Sequence, residues 1–483
     1  MSTSGGKGIA QAGNPFTTLS AIDGGMYSVA GALRRWATKA RPANTANTVA
    51  ILAGDTTWTV GNFEGFNLSG SQKVYVGTEE VLVTAGLGTS AWTVIRAVNG
   101  TTAAGYAIGT RITSDPILRI AVLGDSTVQG TENGVTADGY AVKLARFVAE
   151  WLGLPLLSPV MGQGGFYPVY HSNDPNLGGG AGNGDPVWNA SGGAWTLTTP
   201  GATTDRGPFG WTVTANGAAN ILQFAVPAYM GSIRCIDVYH VNQVLNGFSC
   251  DINLAGAWAN APGSGVAPAG GRIERARFVN GTDITNFRVR AATAAGAATS
   301  PIIIGIDCWA STPTLGTTAG VKLYNLGKDA DFLGQFARAN ASGDDFALLD
   351  GGGNDPGSFD ADLVIIGSFT NDVLFWTNGV AYGQQLQAII SRCFPRSDII
   401  MVGFAEQNGR SVTDQASLRA KCKQIAVANG VAGFDMYDAF VAEGIVGWAA
   451  ANAAGYFSGD SNHFNALGVT EQAAQTSRLL RLA

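Results

Sequence analysis

The chain has 483 residues, 46% hydrophobic and 13% charged, which is enough for two or three buried cores. A formal net charge of −6 without a basic stripe excludes a general nucleic-acid binder. No apolar run reaches the roughly 18–20 residues that span a bilayer, so no membrane insertion is expected.

The opening Met1-Ser2-Thr3-Ser4-Gly5-Gly6-Lys7 lacks the apolar stretch of a secretory signal. Five cysteines (Cys235, Cys250, Cys308, Cys393, Cys422) make neither a CxxC pair nor a disulfide framework. They read as small buried apolar residues, with a Cys235–Cys250 bridge left open. Only three histidines occur, His171, His240 and His463, which argues against a multi-histidine metal site and leaves few candidates for a general base. Neither metal nor cofactor is expected.

In chain order, residues 1–45 are Gly/Ser/Thr-rich and read as an attachment arm with one helix around Met26 to Lys39. Residues 46–115 hold short alternating runs ("TTWTV", "KVYVG", "EVLVTA", "AWTVIRA") punctuated by Gly, Asn and Asp, the pattern of a small β domain. "PILRIAVLGDS" is then a continuous apolar run, as in a strand buried on both faces, and "GYAVKLARFVAEWLG" has helical spacing with Gly153 as its stop. Together they open an α/β domain over 116–174, which resumes over 319–483. Between them, residues 175–318 show strands and turns without a helical pattern, an inserted β-sandwich whose Trp188, Trp195, Trp211, Trp258 and Trp309 read mostly as core packing, with stacking on sugar rings as the other role open to them. In the second α/β part, "ADLVIIGSF" and "DIIMVGFA" read as buried strands and "YGQQLQAIISRCF" and "SLRAKCKQIAVANG" as helices. "GFDMYDAF" reads as a strand with its exit loop, and a last helix follows "NALG".

Reactive groups in a parallel α/β sheet gather at the carboxyl ends of the strands. Ser126 sits there, after "RIAVLGD", and a serine becomes a nucleophile when a base takes its proton and a third group holds that base. Asn371 follows "DLVIIGSFT" at the same edge, where its amide can donate to an oxyanion. Gly164 and Gly165 follow the strand ending near Met161, and a glycine there lets a backbone N–H approach a substrate oxygen. Asp460 and His463 sit three apart in "GDSNHFNALG", so one segment can deliver a base and its orienting carboxylate. Asp125 and Asp372 flank these residues and read chiefly as turn-holding. His171 is the rival base, without an Asp three residues before it, and His240 reads as structural. Gly459-Asp460-Ser461 repeats the Gly-Asp-Ser tripeptide without a buried strand before it, so Ser461 reads as a loop residue.

Gly124-Asp125-Ser126, Gly162-Gln163-Gly164-Gly165, Thr370-Asn371-Asp372 and Asp460-Ser461-Asn462-His463 resemble, in order, the four blocks of the SGNH (GDSL-type) serine esterase/hydrolase family. The resemblance covers 118–170 and 320–483, about half the chain. It implies a flavodoxin-like three-layer α/β/α domain, here with the inserted all-β sandwich and the small N-terminal β domain. It also implies ester hydrolysis without metal or cofactor. Ser126 would be nucleophile, His463 general base, Asp460 its partner, and the Ser126 amide, Gly165 and Asn371 the oxyanion hole, with Gly164 and Asp125 as further site residues. Two positions depart from the family: Phe369 stands where a glycine usually precedes the third-block asparagine, and Val160 where an asparagine often opens the second block.

The segment 74–112, "VYVGTEEVLVTAGLGTSAWTVIRAVNGTTAAGYAIGTRI", is similar to a small β unit of bacteriophage virion and tail proteins. That likeness implies a virion-associated esterase acting outside the cell on ester groups, O-acetyl above all, of a host surface glycan. Its partners would be other phage tail proteins, with a homotrimer as one assembly. Two other readings stay open: a lipid esterase, with Phe369, Leu374, Phe375 and Trp376 near an acyl groove, and a non-catalytic tail adhesin.

Overall fold

The computed structural model describes residues 43–66, 71–129, 139–159, 164–168, 230–242, 248–260, 272–291, 302–327, 357–367, 371–375, 379–393, 397–459 and 462–481, and the short segments 26–27, 188–191, 195–198, 212–215, 221–226, 339–340, 343–344 and 347–350. The long apolar runs pair side by side in one sheet, in the order Met26–Tyr27, Ala432–Asp435, Asp398–Gly403, Leu363–Ile366, Ile117–Gly124, Gly320–Gly327. All neighbours run parallel except Met26–Tyr27, which lies antiparallel on the edge.

These strands lack polar alternation because both faces of the sheet are covered. Along Ile117–Gly124, Ile120 and Val122 enter a core shared with the helices Tyr140–Leu152 and Ala466–Arg481. Ala121 and Leu123 point the other way, into a core shared with Gly379–Cys393 and Val412–Asn429. Sequence sets the helix ends. Tyr140–Leu152 stops at Gly153 with φ +65°, a conformation in which a Cβ is strained. Val412–Asn429 starts at Ser411, whose hydroxyl accepts the Asp414 N–H.

Two antiparallel sheets lie in the chain between Phe166 and Trp309. One has the order Trp188–Ser191, Ile221–Ala225, Asn286–Ala291, Phe248–Ile252, Trp258–Asn260. The other runs Trp195–Thr198, Thr212–Ala215, Ile302–Trp309, Cys235–Asn242, Arg272–Val279, with Phe166–Pro168 also paired to Ile302–Trp309. Leu222, Phe224, Phe287 and Val289 meet Ile236, Val238, Ala276 and Phe278 in a core between them. The outer face of the second sheet supplies Tyr239, Val241, Ile273 and Ile304 to the core beside Ala121 and Leu123. A further antiparallel sheet is ordered Asn44–Ala46, Arg111–Ser114, Gln72–Val76, Glu79–Ala85, Ala91–Ile95, Thr57–Thr59, around Trp58, Trp92 and a set of valines.

The structure adds to or departs from the sequence reading at three places. Met26 and Tyr27 form an edge strand on Ala432–Asp435 where a helix was expected to begin, and the rest of that expected helix, 28–39, lies outside the described residues. Gly320–Gly327 is a fully buried strand that the pattern hid, because Lys322 and Asn325 interrupt its apolar run. The bridge left open between Cys235 and Cys250 does not form, and all five cysteines are buried and outside any disulfide. Among the described residues, no helix is long and apolar enough to cross a membrane.

His240 is buried with its ring edge-on to Phe248, and burial pushes its imidazole down to about 4 against the opposing pull of Glu274. Its folded value lies below its ordinary 6.5, so the unfolded chain binds the proton first as pH falls. The related stability is complete above the ordinary value and is lost on the way down to about pH 4. A neutral replacement removes this liability. In urea unfolding, wild type should therefore lose about 3 kcal/mol relative to His240→Gln between pH 7 and pH 4. A gap between the two proteins that does not change with pH would refute the assignment.

Candidate active site

Ser126 opens a single helical turn, Ser126–Gln129, directly after the fully buried strand Ile117–Gly124. Close packing fixes this turn. A Cβ on Gly124 would lie 2.1 Å from Val128 Cγ2, and one on Gly367, past the adjacent strand, would lie 2.4 Å from the same atom. Two glycines thus let neighbouring strand ends close around Val128. The buried Asn325 donates through Nδ2 to the Val128 carbonyl at 3.1 Å, while its Oδ1 accepts the Gly327 N–H at 2.9 Å.

Asp125 is fully buried and joins two strand ends. Its Oδ1 accepts the Thr127 N–H at 3.0 Å, and its Oδ2 accepts the Asn371 N–H at 3.2 Å. Asn371 follows Leu363–Ile366, which pairs with Ile120–Leu123, so the carboxylate holds the serine turn and the asparagine turn in fixed relation.

His463 comes from the segment before the last helix. Its Nε2 lies 2.7 Å from Ser126 Oγ, although the two residues are 337 apart in the chain. The His463 carbonyl accepts the Ser458 N–H at 2.8 Å. Asn465 closes the segment: its Nδ2 donates to the Gly455 and Phe457 carbonyls, and its Oδ1 caps Leu467 and Gly468. A hydroxyl this close to an imidazole nitrogen can give up its proton as it attacks an electrophile.

The structure therefore brings together Ser126, His463, Asn371 and Asp125. Asp460, His171, Ser461, Phe369, Trp376, Val160 and Trp211 lie outside the described residues, and of Leu374 and Phe375 only the backbone is described. Gly165 and Gly164 are placed elsewhere, contrary to their expected oxyanion role. A Cβ on Gly165 would meet the Cys308 carbonyl at 2.7 Å and Lys322 Nζ at 3.0 Å, and one on Gly164 would meet Leu323. Lys322 pairs with Arg119, five residues before Gly124, which is roughly 16 Å along the strand from the serine end. Gly165 is glycine because its φ is +119° and its carbonyl accepts the Cys308 N–H at 2.7 Å. Neither Asn325, which holds the Val128 carbonyl, nor Gln407, which donates to the Asn462 carbonyl, carried a signal in the sequence. Among the described residues, no group of three His, Cys, Asp or Glu side chains is placed to hold a metal ion.

No family model matches the chain, and no curated protein matches it. Among solved structures, a peptidoglycan O-acetylesterase superposes with a TM-score of 0.50 at 16% identity, over 76% of this chain and 92% of its own. A member of the lipolytic G-D-S-L family from Veillonella parvula matches with a TM-score of 0.24 at 13% identity, over 33% of this chain and 79% of its own. A family two carbohydrate esterase from Cellvibrio japonicus gives 0.24 at 9% identity, over 61% and 98%. The first likeness is one of fold: a mixed α/β architecture shared with an esterase across most of both chains.

Removing the Asp125 carboxylate takes its acceptors away from the Thr127 and Asn371 N–H groups at the strand ends. Asp125→Ala should lower the unfolding free energy by roughly 2–4 kcal/mol, and Asp125→Asn, which keeps one acceptor, by less. Equal midpoints for Asp125→Ala and wild type in urea would show that the link carries no load.

Proposed function

We propose that the chain is a serine esterase that removes acyl groups, chiefly O-acetyl, from a host cell-surface glycan. The observation that carries this reading is the 2.7 Å approach of Ser126 Oγ to His463 Nε2 at the carboxyl edge of a parallel sheet. In the proposed reaction, Ser126 Oγ attacks the acyl carbon while its proton passes to His463 Nε2. The tetrahedral oxyanion accepts hydrogen bonds from the Ser126 backbone N–H and the Asn371 side-chain amide. Collapse expels the sugar oxygen, which takes the proton from His463, and leaves an acyl-enzyme. His463 then draws a proton from water, whose attack releases the acid and restores Ser126. Asp460, three residues before His463, is the proposed acceptor for the other ring nitrogen, which would fix the tautomer.

The domain plan that goes with this reading is an α/β/α hydrolase domain (116–174 and 319–483), a β-sandwich inserted at 175–318 and a β domain at 46–115 behind the arm 1–45. The fold shared with a peptidoglycan O-acetylesterase supports the choice of a glycan ester over a lipid ester. The likeness of residues 74–112 to a phage virion unit supports attachment to a tail through other tail proteins, with a homotrimer as one assembly. A virion location would bring the site to the host surface.

Hydrolysis of p-nitrophenyl acetate, butyrate and octanoate by wild type, Ser126→Ala and Asn371→Ala checks the proposal. Acetate should turn over fastest, Ser126→Ala should lose at least about 10³-fold, and Asn371→Ala about 10²–10³-fold in kcat. Octanoate as the best substrate would favour a lipid ester. Equal rates for wild type and Ser126→Ala, or none from either, would overturn the esterase assignment.

A further inference from the structure

Gln407 lies beyond the carboxyl end of Asp398–Gly403 and is buried. Its backbone is held from the next helix: its N–H donates to Gln415 Oε1 at 2.9 Å, and its carbonyl accepts from Gln415 Nε2 at 3.3 Å. Gln415 is itself fully buried within Val412–Asn429. The side chain of Gln407 points onward, and its Nε2 donates to the Asn462 carbonyl at 2.9 Å. Asn462 immediately precedes His463.

We infer that Gln407 is a positioning residue, whose side-chain amide sets the reach of the His463 imidazole to Ser126. This inference rests on the serine esterase reading above. The bonds made by Ser458 and Asn465 tie the His463 segment to itself, whereas the Gln407 bond ties it to a loop 55 residues away at the edge of the central sheet. The relay runs from a buried helix residue, through the main chain of Gln407, to the peptide beside the base. Among the described residues, Gln407 Oε1 has no hydrogen-bond partner, so the amide's one side-chain bond there is the Nε2 donation to the Asn462 carbonyl. The N–H end of the Gln407 amide is the part in use. A displacement of about 1 Å between nucleophile and base is enough to cost on the order of 10²-fold in rate.

Gln407→Met removes the donor and keeps the length of the side chain. Both bonds to Gln415 use the backbone of residue 407, so they survive the substitution. The expected result is a fall in kcat on p-nitrophenyl acetate of about 10–100-fold with KM within about twofold. Labelling of Ser126 by a fluorophosphonate, in which the Oγ–P bond forms as fluoride leaves, should slow in parallel. Where the methionine variant does not fold, Gln407→Leu, which is also apolar and lacks the donor, should give the same result. A folded variant with kcat and labelling within about twofold of wild type would overturn the inference, even if its thermal midpoint fell. Failure of the esterase reading looks different: wild type itself would show no labelling that depends on Ser126, and the inference would fall with it.

Discussion

Charge buried between sheets is the constraint on which the arrangement depends. Asp237 accepts from Arg277 through Nε and Nη2, each at 2.7 Å, and from Trp309 Nε1 at 2.9 Å. Arg275 spans from Asp237 at 3.6 Å to Glu80 of the N-terminal sheet at 2.8 Å. Lys322 of the central sheet pairs with Asp307 at 2.6 Å, and Arg119 beside it pairs with Asp115, which also accepts from Tyr75 Oη at 3.1 Å. Burial pushes Asp307 up to about 7 despite Lys322, whereas at Asp237 Arg277 and Arg275 outweigh burial and hold the carboxyl below its ordinary range. Breaking a buried pair by losing one partner strands the other charge at roughly 3–5 kcal/mol. Sliding one sheet against another would break several such pairs at once.

This network explains what could be read from the sequence. Elements whose partners are local or merely apolar were legible: the buried runs Ile117–Gly124 and Asp398–Gly403, and the helices ending at Gly153 and Gly430. Gly320–Gly327 was not, since Lys322 and Asn325 look unsuited to a strand buried along its whole length. Their burial makes sense only once Asp307 and the Cys308 carbonyl face Lys322, and Val128 faces Asn325. Arg272–Val279 likewise alternates charge as a wet strand would, yet Glu274 and Arg275 are buried. Charge in a sequence marks surface only while its partner is unknown.

The site was legible in a different measure. Ser126 and His463 stand in short motifs that need only a strand end and a loop, and the fold brings them to 2.7 Å. Gly165 was misplaced because "GQGG" offers three glycines and no register, and the structure uses that one to admit Cys308 instead. Gln407 left no signal at all. The stretch "FAEQNGR" has no motif, and its part becomes visible only when a carbonyl 55 residues away comes within hydrogen-bond reach.

The two ends of the central strands carry different demands, and the first governs the second. Arg119 and Lys322 are cross-strand neighbours of like sign in adjacent parallel strands, a pairing that is unfavourable unless each cation is taken up separately. The takers come from opposite sides: Asp115 follows the N-terminal sheet, and Asp307 lies in the strand Ile302–Trp309. Docking both β units therefore allows Ile117–Gly124 and Gly320–Gly327 to lie together. At their other ends the same two strands present Ser126 and the Asn325 that grips its turn. The two β units thereby supply the carboxylates that neutralise Arg119 and Lys322, and removing either would expose a like-charge contact beneath the site.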